Sequence, residues 1–227
     1  MLSVRSQVAV GHAYDLDVST SEWFRSSRWD VEARQEFESR LARSRDSNRA
    51  QYLRIKALAI ESAEPRAAEE LWQRIIRDYS ENYEAAFAQE RLGDLYRQRG
   101  DIDLAETAYR RVLALGGGTS PSGTSGSVNL SLIELLLDIP GREQDVLVQL
   151  KVVSPPSNLL HFDSDRFRWE VSLAIVSDRL GDTETSKKAA QRALALLSAP
   201  DRFSHHPGVG RAQASPALVK QLQRLSS

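Results

Sequence analysis

The sequence predicts an all-α protein built from antiparallel helical hairpins stacked into an α-solenoid. Apolar residues recur with the 3.6-residue period of a helix through most of the chain. Glycine- and proline-containing turns divide the periodic segments into pairs, and one set of apolar positions recurs at a constant shift along the sequence. A single helical hairpin leaves one apolar face exposed, so hairpins of this kind must stack on one another.

The clearest hairpin extends from Ala86 to Leu115. Its first helix carries Leu92, Gly93 and Tyr96, and the Gly100-Asp101 pair predicts a tight turn. Glycine inside a helix costs about 1 kcal/mol relative to alanine, so we expect a neighbouring helix to approach closely at Gly93. The apolar face of the return helix consists of Ala105, Ala108, Tyr109, Val112 and Leu113.

A shift of 37 residues reveals an internal repeat, since it carries Ala68 to Ala105 and Trp72 to Tyr109. The same shift relates Ile75-Ile76 to Val112-Leu113. The earlier hairpin therefore spans Asn48 to Tyr79, and Lys56 falls at the position of Gly93. The residues predicted to face inward from its first helix are Tyr52, Ile55, Leu58 and Ala59.

The remaining segments predict further helices. One helix runs from the cap Asp30 to about Arg45, and a hairpin formed by 129–138 and 144–153 flanks Ile139-Pro140-Gly141. The valines of 144–153 make a strand the competing prediction there. Another hairpin begins at the cap Asp165, turns at Gly181-Asp182 and returns over 183–197, before a final helix over 216–225.

The residues Leu92-Gly93, Tyr96, Gly100, Ala105, Tyr109 and Val112-Leu113 together resemble a tetratricopeptide repeat. In this hairpin the usual early tryptophan of the motif is Gln89 and its closing proline is Gly117. The Gly181 hairpin is similar to the same pattern. The resemblance implies a right-handed solenoid with atypical capping helices. Residues 1–20 show no periodicity and are predicted to be an N-terminal arm. The rest of the chain, 21–227, is predicted to be one repeat domain, with repeats at about 48–82, 83–118, 125–157 and 165–200 and a cap at 214–227.

The composition of the chain argues against several classes of function. With 30 basic and 31 acidic residues the net charge is -1, so the total charge gives no reason to expect a polyanion or membrane partner. Zero cysteines exclude disulfides and cysteine-ligated zinc. No segment has the length of a signal peptide core or a membrane span, which predicts a cytoplasmic protein. The preference for arginine over lysine is typical of a GC-rich bacterial genome.

The sequence contains no pattern typical of an enzyme, a cofactor site or a metal site. The glycine- and serine-rich stretch 116–127 lacks the Gly-Lys-Ser/Thr ending of a phosphate-binding loop, so we interpret it as a linker. His161 with Asp163 and Asp165 could hold a divalent ion or act as a base. A solvated loop preceding a helix is the preferred interpretation.

In a tetratricopeptide array the first helix of each pair lines a concave groove, and we expect that groove to bind a peptide or a partner protein such as an enzyme. A homo-oligomer is a further possibility. Phe87 is either an anchor for the partner or a core residue. The groove residues predicted from the sequence are Arg54, Phe87, Glu90, Asp94, Arg97, Arg168 and Arg179.

The alternative is a nucleic-acid accessory protein that uses its arginine-rich N-terminal helices. Acidic residues alternate with these arginines, so much of the positive field is expected to be neutralised and nucleic acid is the less favoured partner. The arginines concerned are Arg25, Arg28, Arg34, Arg40, Arg43, Arg45 and Arg49.

Overall fold

The structure is a computed structural model that describes residues 22–116, 123–154, 160–200, 202, 205–206 and 208–227. This part of the chain contains ten α-helices and no strand, which confirms the all-α prediction. The predicted arm over 1–20 and the middle of the predicted linker, 117–122, lie outside the described residues.

A 3-10 turn at Trp23–Arg25 precedes the helices, and most helices begin and end within two residues of their predicted bounds. The helices are α1 Val31–Arg43, α2 Asp46–Ile60, α3 Pro65–Asp78, α4 Tyr83–Arg99, α5 Ile102–Leu115, α6 Val128–Leu137, α7 Glu143–Val152, α8 Asp163–Arg179, α9 Thr183–Leu197 and α10 Pro216–Leu225.

The chain divides into two compact units, Met1–Leu95 and Tyr96–Ser227, with the boundary inside α4. In unit 1, α2 packs against α3 and against the 3-10 turn. In unit 2, each helix from α5 to α10 packs on the next, and α6 also packs on α8. Helices close in sequence are therefore close in space within each unit.

The core of unit 1 corrects one predicted helix face. In α3, Ala68, Leu71 and Trp72 are buried as predicted, but in α2 the predicted inward residue Leu58 is 42% exposed. The apolar face of α2 is rotated by about one position, which brings Lys56 inside. The buried residues of α2 are Ala50, Leu53, Lys56, Ala57 and Ile60.

The core of unit 2 follows the sequence pattern more closely. Every predicted inward residue of α5 from Ala105 to Leu113 is buried. The strand alternative for 144–153 is wrong, because α7 is a helix with Val146 and Leu150 buried one turn apart. Their i, i+4 spacing places them on one helix face, which outweighs the intrinsic strand preference of valine.

Two turns in unit 2 have the same backbone geometry. Gly100 and Gly181 both have positive φ, 86° and 80°. In the first turn the Asp101 amide donates to the Tyr96 carbonyl at 2.9 Å, and in the second the Asp182 amide donates to the Ser177 carbonyl at 2.9 Å. This is the glycine-terminated helix ending typical of helical hairpins, and it confirms the predicted recurrence of the turn.

The beginning of α8 differs from the predicted one. The helix starts at Asp163, two residues before the predicted cap Asp165. The Asp165 carboxylate instead accepts a hydrogen bond from the Phe162 amide at 3.2 Å. An aspartate in the first turn accepts a hydrogen bond from an otherwise unpaired backbone amide, and its charge interacts favourably with the helix dipole. Asp165 therefore stabilises the start of α8 from within the first turn rather than from the cap position.

Gly210 gives a stability prediction for the loop that leads to α10. Its φ is 68°, and a Cβ there would lie 2.3 Å from the Phe162 ring. We expect Gly210→Ala to lower the free energy of unfolding by about 1–3 kcal/mol, through left-handed strain and steric overlap. Gly208→Ala is the matched control in chemical denaturation. Gly208 has a similar φ of 84°, but a Cβ added there would have no neighbouring atom within 4 Å, so only the backbone strain remains. Equal losses in both variants would contradict the contribution of Phe162.

Candidate functional site

The most connected of the predicted groove residues in unit 2 surround one carboxylate on α6. Arg168 of α8 donates to Glu134 through Nε at 2.5 Å and through Nη2 at 3.0 Å. Arg97, in the last turn of α4, donates to Glu134 at 3.2 Å and to Asp138 at 3.2 Å. We name Arg97, Glu134, Asp138 and Arg168 the Glu134 cluster. It joins three helices through charged hydrogen bonds.

The spacing of the Glu134 cluster follows the repeat. Arg97 and Glu134 are 37 residues apart, and Glu134 and Arg168 are 34 apart. The first spacing equals the 37-residue shift of the internal sequence repeat, and the structure brings opposite charges at these two spacings together. The sequence analysis found both arginines but missed Glu134 and Asp138. An acid-base pattern at the repeat period is the signal that could have found them.

Electrostatics keep Glu134 charged. Burial raises the pKa of its carboxyl, but the hydrogen bonds and charges of Arg168 and Arg97 outweigh burial and lower the pKa overall. Burial lowers the pKa of the Arg97 guanidinium, but the negative charges of Glu134 and Asp138 raise it by more, so the pKa of Arg97 is raised overall. Glu134 and Arg97 are therefore both charged at neutral pH.

One face of α8 places arginine side chains beside apolar ones. Val171 and Ile175 are partly exposed and lie between Arg168 and Arg179, one turn apart from each other. Val171 also packs against the core that α8 shares with α9 and α10. Arg179 is exposed and donates through Nη1 to the Leu137 carbonyl at 2.5 Å, which satisfies an unpaired carbonyl at the end of α6. We name Arg168, Val171, Ile175 and Arg179 the α8 strip.

In unit 1, Phe87 is packed into its surroundings. Its ring meets the Trp72 ring edge to face with centroids 5.8 Å apart, and the Arg54 guanidinium lies 5.3 Å from its centroid. Arg54 also pairs with the buried carboxylate of Glu84 at 2.8 Å. Phe87 remains partly exposed, so it combines core packing with an accessible edge.

The other predicted groove residues of unit 1 have different surroundings. Asp94 pairs with Arg91 at 2.9 Å, and Arg91 also donates to Glu61, the residue that follows α2. Glu90, predicted to be exposed, is only 5% exposed, so that expectation is wrong. The reason is its position on α4, which turns Glu90 toward the buried side together with Gln89.

No family model, curated protein or solved structure matches the chain. The functional interpretation therefore depends on the residues and their geometry.

Charged pairing also reduces the free positive charge of the N-terminal arginines. Arg25 pairs with Glu22 at 3.0 Å, and Arg28 pairs with Asp30 at 2.8 Å. Further pairs along α1 and α2 are Arg40 with Glu36, Arg49 with Asp46 and Arg34 with Glu70. Neutralised pairs of this kind contribute little to phosphate binding.

The described residues give no metal centre. Nowhere among them do three or more His, Cys, Asp or Glu side chains come together as ligands, so His161, Asp163 and Asp165 form no such group. Asp163 instead accepts from Arg202 at 3.5 Å. Among the same residues, no helix combines the length and apolarity needed to cross a membrane.

One open cleft lies between the first half of α9 and the end of α10. It has a volume of about 860 Å³, and its charged lining includes Lys187, Lys188 and Arg224 together with Glu184. Lys188 is paired with Glu184 at 2.6 Å, and Lys187 donates to the Ser227 carbonyl at 2.7 Å. The lysines of the cleft are thus engaged within the chain.

Proposed function

We propose that the chain is a non-catalytic helical-repeat scaffold of the tetratricopeptide type, which holds a partner protein on the α8 strip. The observation that carries the proposal is the α8 strip, in which partly exposed Val171 and Ile175 lie between two arginines. Apolar anchors flanked by charges are what an amphipathic helix or an extended peptide recognises.

The Glu134 cluster supports this function by fixing the position of the strip. The two-point hydrogen bond from Arg168 to Glu134 orients one end of the strip, and the Arg179 bond to the Leu137 carbonyl orients the other. Side chains that are already ordered lose less entropy when a partner binds. A partner segment with apolar residues and one or two carboxylates complements the strip.

Ile175→Asp tests the proposal. The substitution places a carboxylate in the middle of the strip and removes no ion pair, so we expect the tagged variant to lose at least about tenfold in partner capture relative to wild type. Val209→Asp is the matched control, because Val209 is 51% exposed and lies outside the strip. Captured proteins are identified by mass spectrometry, with circular dichroism to verify folding of both variants.

Three outcomes separate the hypotheses. A partner lost by Ile175→Asp, retained by Val209→Asp and unaffected by nuclease supports the scaffold function of the α8 strip. Equal capture by both variants contradicts the assignment of the strip. Capture that is abolished by nuclease and by added salt would contradict the scaffold function and would support nucleic-acid binding by the N-terminal arginines.

A further inference from the structure

Residues 22–30, which we name the N-terminal strap, are held on unit 1 by aromatic contacts. The Trp23 ring lies 5.3 Å from both Phe37 of α1 and Tyr52 of α2, and the Phe24 ring stacks on Tyr52 at 4.6 Å. The strap contains only one 3-10 turn and has no helix of its own to join it to the core. Its attachment therefore depends on side chains of α1 and α2.

Lys56 of α2 is buried beneath the strap, with an exposure of 1%. Its Nζ donates to the Ser26 carbonyl at 2.7 Å and to the Arg28 carbonyl at 3.0 Å, both in the strap. The amine also lies 5.3 Å from the centroid of the Trp29 ring and 5.5 Å from that of Phe37. Closing the strap thus removes the Lys56 amine from water.

The charges that face Lys56 compensate its burial only in part. Glu36 of α1 and Asp30 of the strap favour its positive charge, and Arg28 of the strap opposes it. Glu36 is paired with Arg40, and Asp30 with Arg28, so neither carboxylate is dedicated to the lysine. A buried ammonium without its own counter-ion is costly.

We propose that the strap opens from α1 and α2 as a unit, and that protonation of Lys56 favours the open state. Burial lowers the pKa of Lys56 from 10.5 to about 8 in the closed state, against the partial effects of Glu36 and Asp30. In the open state the amine is in water and regains its ordinary pKa. Between these two values the closed state binds fewer protons, so raising the pH favours closure.

Amide hydrogen exchange measures this opening. The Arg25 amide donates to the Glu22 carbonyl at 2.8 Å, and the Arg28 amide donates to the Ser26 hydroxyl at 3.2 Å, so both strap amides are hydrogen-bonded in the closed state. After correction for intrinsic rates, we expect the opening constant of the strap to fall about tenfold from pH 7 to pH 9. Quench-flow exchange with mass spectrometry at low temperature resolves the strap from α2.

Lys56→Met supplies the decisive comparison. The variant has no titrating amine, so the corrected opening constant should be the same at pH 7 and pH 9, whether the strap is looser or tighter overall. Lys151→Met, an exposed lysine of unit 2, should retain the tenfold change. A pH dependence that persists in Lys56→Met overturns the proposal.

Two measurements on the wild-type chain keep the proposal falsifiable if Lys56→Met does not fold. Equal opening constants for the strap and α2 would show that the strap does not open as a separate unit. An NMR titration of the lysine side chains that finds the ordinary pKa for Lys56 would remove the linkage. A lowered pKa together with separate strap exchange supports it.

Discussion

Replacement of Trp72 by alanine is expected to lower the free energy of unfolding of unit 1 by about 3–5 kcal/mol. The indole is fully buried, and a large aromatic residue removed from a core leaves a cavity as well as lost apolar contact. Its Nε1 also donates to Glu61 at 3.1 Å, and its ring supports Phe87. Urea denaturation followed by circular dichroism measures the loss.

Trp72→Phe separates packing from hydrogen bonding in this prediction. Phenylalanine retains most of the apolar contact but cannot donate to Glu61, so a smaller loss of about 1–2 kcal/mol is expected. Hydrogen exchange should show the change in the amides of α2 and α3. A loss below 1 kcal/mol for Trp72→Ala would contradict the role of Trp72 as the centre of this core.

Glu134→Gln is expected to destabilise unit 2 by about 2–3 kcal/mol. The substitution preserves shape but leaves Arg97 and Arg168 without their shared charge, and removing one partner of a shielded ion pair costs more than the pair contributes. The Glu134 side chain is 27% exposed, which keeps the expected loss below that of a fully buried pair. Thermal and urea denaturation of wild type and Glu134→Gln measure the difference in the free energy of unfolding.

Asp138→Asn is the control for Glu134→Gln, because it removes a second carboxylate bonded to Arg97. Asp138 is 68% exposed, so water and salt screen its pair and we expect a loss below about 0.5 kcal/mol. Similar losses of unfolding free energy in Glu134→Gln and Asp138→Asn would show that the partial burial of Glu134 does not strengthen its ion pairs.

Acid should remove the difference between wild type and Glu134→Gln. The pKa of Glu134 is lower in the folded chain than its ordinary value of 4.5. The folded state therefore binds fewer protons than the unfolded state, and the stabilisation is complete above the unfolded pKa. It is lost as the pH falls through the lowered folded pKa. A difference that stays constant from pH 7 down to pH 2 would contradict this account.

The helices were predictable because the signals for them are local. Pro65 at the start of α3 and Gly100 after α4 mark helix ends through their own backbone preferences, and Asp182 marks the start of α9 through its side-chain cap. The apolar face of α5 was also predicted correctly, since five apolar residues fix its direction. Periodicity over one helix was sufficient in these cases.

Lys56 and Glu134 show what local patterns could not provide. The face of α2 was placed one position away because a lysine normally marks the solvent side, and the carbonyls that accept its amine come from residues nearly 30 positions earlier. Glu134 is an isolated acid in an otherwise apolar helix, and its partners belong to other helices. Both depend on tertiary contacts that a periodic pattern does not contain.

The matching turns at Gly100 and Gly181 have a consequence for the order of folding. Each turn closes through hydrogen bonds between residues at most five positions apart, so neither requires a distant part of the chain to form first. Local contacts of this kind form quickly, with little loop entropy to overcome. Structure in unit 2 can therefore nucleate at either turn, and the chain has two starting points from which neighbouring helices are added.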